Sequence, residues 1–356
     1  MMNLYAVIMA GGIGARFWPR SKKKSPKQLL KIIGERTMIQ ETFERLNGLV
    51  PKENILIVTN ETQKPGIMEQ LPEIPVENII VEPFGRNTAA CIGLASVIIQ
   101  QRSADAITFV MPADHIIKDN EKFIDTLKTA AQFAYDNTAL VTIGIQPAKP
   151  ETGYGYIQID EDLGKNNVYK VLTFAEKPNY ATAVSFIKSG DFFWNSGMFI
   201  WKIDTILNEI NRHMPDLYEG LIQMKDQLNN PDFPNILSDI YGHLKSISID
   251  YGIMEKSDIV FLVKGQFSWS DVGSWEAVYE LSDKDQDGNV KVGTIYTDMA
   301  MDSYIYSPDK FTAVIGLDNI IVINHDNALL ICKRDKAQDV KNIIDYLKLN
   351  KLNDHL

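Results

Sequence analysis

Short apolar runs recur along the first 145 positions, separated by longer stretches whose apolar residues fall near helical spacing. Residues 4–9, 55–59, 79–81, 107–111 and 140–145 read as strands, and residues 37–49, 61–71, 87–102 and 121–136 as the helices between them. This alternation predicts an α/β fold with a Rossmann-like, mostly parallel, twisted central sheet and helices on both faces, with ligands beyond the carboxyl ends of the strands. A glycine-rich stretch after Met9, the segment starting at Glu82 and the segment Pro112-Ala113-Asp114-His115 each follow such a strand. All three should therefore reach one rim.

From residue 153 to about 270 the pattern changes to longer strands mixed with short helices, as expected of an insertion covering an open sheet. Its aromatic run, Phe192, Phe193, Trp194, Phe199 and Trp201, reads as core packing. The hydrophilic stretch 284–289 reads as a linker, which divides the chain into a large domain, 1–283, and a small one, 284–356. In the small domain β-rich segments 312–315, 320–323 and 328–331 recur at eight-residue spacing before a helix at 337–347. A small stacked-strand, left-handed β-helix-like unit is expected. Asp285 and Asp287 lack the spacing and terminal Glu of an EF-hand and read as a solvated turn.

At 356 residues the chain is long for one core, in keeping with that division. Its net charge of −10 argues against a nucleic-acid binder, which needs a basic face to displace counterions. Cys91 and Cys332 lie in apolar surroundings and form no C-x-x-C pair, so no disulfide framework is expected and a reducing cytoplasm fits. The N-terminal apolar run is too short and lacks the basic flank of a signal peptide, and no window approaches the roughly twenty apolar residues of a membrane span.

The stretch Ala10-Gly11-Gly12-Ile13-Gly14-Ala15-Arg16-Phe17-Trp18-Pro19, closed by Ser25-Pro26-Lys27-Gln28, reads as a phosphate cradle. Its glycines let the backbone turn tightly and aim N–H groups at an anion, and Arg16 and Lys27 add full positive charge. A Walker loop is excluded because no Gly-Lys-Ser or Gly-Lys-Thr occurs, and the dinucleotide fingerprint fails where Phe17 replaces its third glycine. What remains, G-G-x-G-x-R-x-x-P followed by P-K, resembles the signature of the sugar nucleotidyltransferases, and the resemblance spans nearly the whole chain.

The segments Glu82-Pro83-Phe84-Gly85-Arg86-Asn87-Thr88, Trp194-Asn195-Ser196-Gly197-Met198 and Trp269-Ser270-Asp271-Val272-Gly273 fit the guanylyltransferase branch. That resemblance implies GTP and mannose 1-phosphate as substrates, Mg²⁺ on Asp114 and Asp271, and Arg16, Lys27, Asp114 and Asp271 as the catalytic set. It implies a nucleotide site of Ala10, Gly11, Gly12, Gly14, Arg16, Lys27, Glu82, Arg86, Asn87, Thr88, Pro112 and Asp114. Gly153, Tyr154, Glu176, Lys177, Asn195 and Asp250 match the family's sugar-binding half. His115 is assigned a structural role; where many relatives read Ser-Arg after the Trp-Pro pair, this loop reads Arg20-Ser21-Lys22-Lys23-Lys24, and the role of those lysines is left open. A homodimer is expected, and the chain ends too early for the isomerase extension that some relatives carry. Another sugar 1-phosphate, or a non-catalytic homologue, remains as an alternative.

Overall fold

The computed structural model describes residues 2–356, Leu163 by its backbone alone. Strand β1 (Leu4–Met9) leads through the glycine loop to α1 (Met38–Arg45), then β2 (Ile55–Asn60), α2 (Lys64–Gln70), β3 (Ile79–Glu82), α3 (Asn87–Arg102) and β4 (Ile107–Pro112). A short β5 (Ile116–Ile117), α4 (Asn120–Asp136) and β6 (Leu140–Ile145) complete this half. The insertion contributes β7 (Gly155–Lys165), β8 (Val168–Glu176), α5 (Tyr180–Ser189), β9 (Phe192–Lys202), α6 (Ile203–His213), α7 (Pro215–Gln227) and α8 (Phe233–His243). The chain then forms β10 (Val260–Gly265), β11 (Trp269–Ser270) and α9 (Trp275–Leu281).

Nine strands form one sheet in the order β3-β2-β1-β4-β9-β6-β10-β8-β7. The pairs β3–β2, β2–β1, β1–β4 and β6–β10 are parallel, but β9 lies antiparallel between β4 and β6, and β7 and β8 pair only antiparallel. The sheet is therefore mixed, which corrects the expectation of a mostly parallel one. The physical reason is that α5 carries the chain from β8 past β7 to β9, which runs the same way as β8 and so enters the centre of the sheet antiparallel to β4, β6 and β7. Its aromatic residues are core, as their composition suggested: Phe199 and Trp201 are stacked and buried.

Both faces of the sheet are covered. On one, Ile8, Phe109 and Tyr156 pack with Phe123 and Leu127 of α4; on the other, Val7, Val110 and Trp201 pack with α3, α6 and α7. Helix α3 is apolar around most of its circumference, as a helix enclosed between the sheet and other helices must be.

The C-terminal sheet, β12 (Val290–Asp298), β13 (Tyr304–Ile315), β14 (Ile320–His325) and β15 (Ala328–Lys333), pairs parallel from β12 to β14 and antiparallel at β15. Val290, Tyr304 and Ile321 lie at successive rungs of a parallel stack, but residues 312–315 pair with 295–298 and residues 320–323 pair antiparallel with the strand at 328–333, so the expected eight-residue spacing is not the stacking period. A 3-10 turn, Arg334–Val340, precedes α10 (Lys341–Leu349). Tyr304, Ile321 and Leu330 share a core with Phe17, Trp18 and Trp275, so this unit packs directly on the glycine loop.

Candidate active site

The glycine loop is folded back on itself by requirement. Gly14 has φ of 73°, and a Cβ there would lie 2.5 Å from the Cβ of Lys27, so only glycine lets the loop's two limbs cross. Buried Gln28 donates from Nε2 to the carbonyls of Ala10 (3.0 Å) and Gly12 (2.9 Å), and Gln63 Nε2 donates to the Gly12 carbonyl (3.1 Å). With its carbonyls held inward, the loop's outer edge at Gly11 and Gly12 is exposed, the arrangement an anion requires. The two glutamines carry no charge and follow no phosphate motif, so sequence reasoning assigned them nothing. The position of Gln28 beside Lys27 was the available signal.

Lys27 is almost fully buried at the junction of three segments. Its Nζ lies 2.8 Å from Asp114 Oδ2 and donates to the main-chain carbonyl of Asp271 at 2.6 Å. Burial raises the cost of charge on Asp114, but the adjacent Lys27 ammonium outweighs it and holds the carboxyl below its usual range. Asp114 and Asp271, 157 positions apart by number, meet because β5 follows the first and β11 precedes the second, and these strands pair with Ile116 opposite Ser270. Tyr154 donates to Asp271 Oδ1 at 2.6 Å. Burial and the Asp271 carboxylate push its phenol far above the ordinary range, which keeps it a donor.

Val272, fully buried, holds φ at 46°, a region that disfavours a β-branched residue. Such strain, on the order of 1–3 kcal/mol, persists where surrounding packing enforces it. Val272 directly follows the Asp271 carbonyl that accepts from Lys27. Arg16, Lys27, Asp114 and Asp271 line a cavity of about 120 Å³. A Cβ on Gly273 would lie 3.2 Å from Arg16 Nη1 and 2.9 Å from Asp271 Oδ2, so this glycine lets cation and carboxylate approach.

A neighbouring cavity of about 220 Å³ shares Asp271 and is lined by Gly153, Tyr154, Glu176, Asn195 and Asp250. Asn195 Nδ2 donates to Asp250 Oδ1 at 2.8 Å, and Lys177 Nζ lies 2.5 Å from Glu176 Oε1. Burial and then the nearby Glu176 raise the Asp250 carboxyl. His115 accepts from Trp269 Nε1 at 3.1 Å on its Nδ1, and burial holds its imidazole down at about 4, so it is neutral.

The segment from Glu82 divides. Arg86 spends its guanidinium on helix α8, donating to the carbonyls of Tyr241 (2.8 Å) and Gly242 (2.9 Å). Asn87 is the first residue of α3 with φ of 66°, and its Oδ1 accepts from the Thr88 N–H. Thr88 Oγ1 accepts from the N–H of Ile249, beside Asp250. Glu82 is buried beneath Gly11 and accepts from Tyr241 Oη at 3.1 Å. Burial pushes its carboxyl up to about 7, against the opposing effect of the Tyr241 bond. Because the folded value exceeds the unfolded one, stability falls as pH rises from the ordinary carboxylate range through 7. Glu82→Gln removes that dependence. Its melting temperature relative to wild type is expected to rise between about pH 5 and about pH 8, then level off.

Residues 5–288 match the family described as nucleotidyl transferase, and residues 297–347 match the mannoseP isomerase/GMP-like beta-helix domain. The chain belongs to the nucleotidyl transferase family. Among similar members are the mannose-1-phosphate guanylyltransferase RfbM of Salmonella typhimurium, 40% identical over 99% of this chain and 74% of the relative, and a mannose-1-phosphate guanylyltransferase of Klebsiella pneumoniae, 39% identical over 99% and 75%. A crystal structure from Thermus thermophilus, described as a mannose-1-phosphate geranyltransferase, superposes with a TM-score of 0.88 at 32% identity over 98% of this chain and all of that one. The mannose-6-phosphate isomerase of Helicobacter pylori superposes at 0.62 with 28% identity, covering 76% of this chain and all of that one. No helix among the described residues of this nucleotidyl transferase is long and apolar enough to cross a membrane.

Proposed function

We propose that this chain is a mannose-1-phosphate guanylyltransferase, converting GTP and α-D-mannose 1-phosphate into GDP-mannose and diphosphate. Relatives of that name, matched over 99% of this chain, support the activity, and the Lys27 junction supports the site: one buried ammonium ties the phosphate loop to the Asp114 carboxylate and the Asp271 main chain. An oxygen of the sugar phosphate attacks the α-phosphorus in line, the bond to the bridging oxygen breaks and diphosphate leaves. No protein nucleophile is required, since such transfers depend on positioning and on neutralising charge.

The loop N–H groups at Gly11 and Gly12 and the Arg16 guanidinium take the triphosphate in this reading. Lys27 holds the α-phosphate or the incoming sugar phosphate, with its position fixed by Asp114 and the Asp271 carbonyl. Glu82 and Thr88 flank the base side, and Glu176, Lys177, Asn195 and Asp250 meet the sugar hydroxyls. Asp114 and Asp271 would hold Mg²⁺: they offer hard oxygen donors, and both line the cavity shared with Arg16 and Lys27. Bound there with phosphate oxygens and water completing its shell, the ion would neutralise charge developing on the phosphates.

The sugar side can be tested separately. A Cβ on Gly155 would lie 2.3 Å from Glu176 Oε2, so Gly155→Ala displaces that carboxylate while the backbone stays relaxed. The expected result is a rise of about tenfold or more in KM for mannose 1-phosphate, the loss of one hydrogen bond to a charged group, with KM for GTP and the melting temperature little changed. Product identity is checked by mass spectrometry of GDP-mannose. The same reactions, supplied with mannose 6-phosphate and followed for isomerisation, test the activity named for the Helicobacter pylori relative.

A further inference from the structure

The C-terminal unit reaches Arg16 of the candidate catalytic set through a side-chain hydrogen bond. Arg16 Nη1 donates to Gln338 Oε1 at 3.0 Å across 322 positions. From this contact we propose that Gln338 is a positioning residue for the transfer reaction, holding the Arg16 guanidinium where the phosphate chain of GTP will lie. The proposal rests on the reading of Arg16 as a phosphate ligand.

Both ends of the contact are anchored at their bases. Phe17, next to Arg16, and Ala337, next to Gln338, are buried in the same core with Trp18, Val272, Trp275 and Tyr304. The Phe17 and Trp275 rings lie 5.0 Å apart, the Trp275 indole donates to the Trp18 carbonyl at 3.1 Å, and the Trp18 indole donates to the carbonyl of His355 at 2.9 Å. On the other side of Gln338, Arg334 forms a two-pronged pair with Glu276 at 2.8 and 2.6 Å and donates to the Asp302 carbonyl at 3.0 Å. Backbone positions on the two sides are thus fixed, while the side chains of Arg16 and Gln338 reach into a shared cleft of about 660 Å³ that also opens onto Asp271.

The chemistry of the acceptor supports the same role. A free arginine side chain samples many rotamers, and an acceptor removes part of that freedom before substrate arrives. An amide oxygen does so without cancelling the positive charge. A carboxylate at this position would compete with phosphate for the guanidinium, and an apolar side chain would release it.

The test is a double-mutant cycle on the full chain, with GTP, mannose 1-phosphate and Mg²⁺, reading kcat and both KM values. Gln338 is exposed, so Gln338→Leu should fold normally, which thermal melting verifies. Expected is a fall of about tenfold in kcat/KM for GTP with KM for mannose 1-phosphate unchanged, and no further fall when Gln338→Leu is added to Arg16→Ala. Gln338→Glu should lose at least as much as Gln338→Leu, because it pairs with the same guanidinium. Wild-type kcat/KM in Gln338→Leu, or an equal fold loss with and without Arg16, overturns the proposal. Wild-type turnover itself tests the underlying reading, so a failure of one is distinguishable from a failure of the other.

Discussion

Replacing Lys27 with alanine should lower kcat for GDP-mannose formation by roughly 10²- to 10³-fold, the usual loss when one preorganised electrostatic contact to a charge-bearing transition state is removed. Three effects combine at this position. The ammonium no longer faces the transferring phosphate, and Asp114 loses the partner 2.8 Å away that outweighs its burial. The Asp271 carbonyl also loses its donor. Lys27→Arg should not restore the rate, since a planar fork cannot replace a point charge in this crowded junction. Steady-state kinetics on folded protein checks both, and near-normal turnover in Lys27→Ala would remove Lys27 from the mechanism.

A second large effect is expected at Gly14, where no charge is altered. Alanine there must hold a left-handed backbone, costing about 1–2 kcal/mol, and its methyl would overlap the Cβ of Lys27 at 2.5 Å. The neighbouring contact is the base of a buried side chain, so the loop itself has to shift. Gly14→Ala should therefore lose activity by about the same factor as Lys27→Ala and also melt at a lower temperature. Gly12→Ala is the matching control for stability: nothing lies within 4 Å of a Cβ at that position, so its melting temperature should stay close to wild type.

How much of this was legible in the sequence differs from one element to the next. Strands β1 and β6 and helix α3 fall where continuous apolar runs and periodicity placed them, because buried parallel strands and enclosed helices carry dense local signals. The direction of β9 was not legible. Its residues announce burial, but strand polarity is decided by the α5 crossover that brings β9 in running the same way as β8, which composition does not record. At the site, charges and glycines were visible because phosphate chemistry demands them. The meeting of Asp114 with Asp271 through the two-residue strands β5 and β11 leaves no periodic trace. Neutral residues that organise the charged ones, Gln28, Gln63 and Gln338, have no sequence signature and appear only once donors and acceptors are paired in space.

The Lys22–Asp326 ion pair at 2.8 Å gives one lysine of the basic cluster a contact with the C-terminal unit. Arg20 lies over the Tyr306 ring at 4.2 Å, a second link of the same kind. Together with the shared core, these contacts make the glycine loop the surface on which the C-terminal unit is built.

The most direct measurement is diphosphate release by the full chain with Mg²⁺ over a matrix of nucleoside triphosphates and sugar 1-phosphates. GTP with mannose 1-phosphate should give the highest kcat/KM, with GDP-mannose as the product. Faster turnover with another pair, or none with any pair, would contradict the assignment.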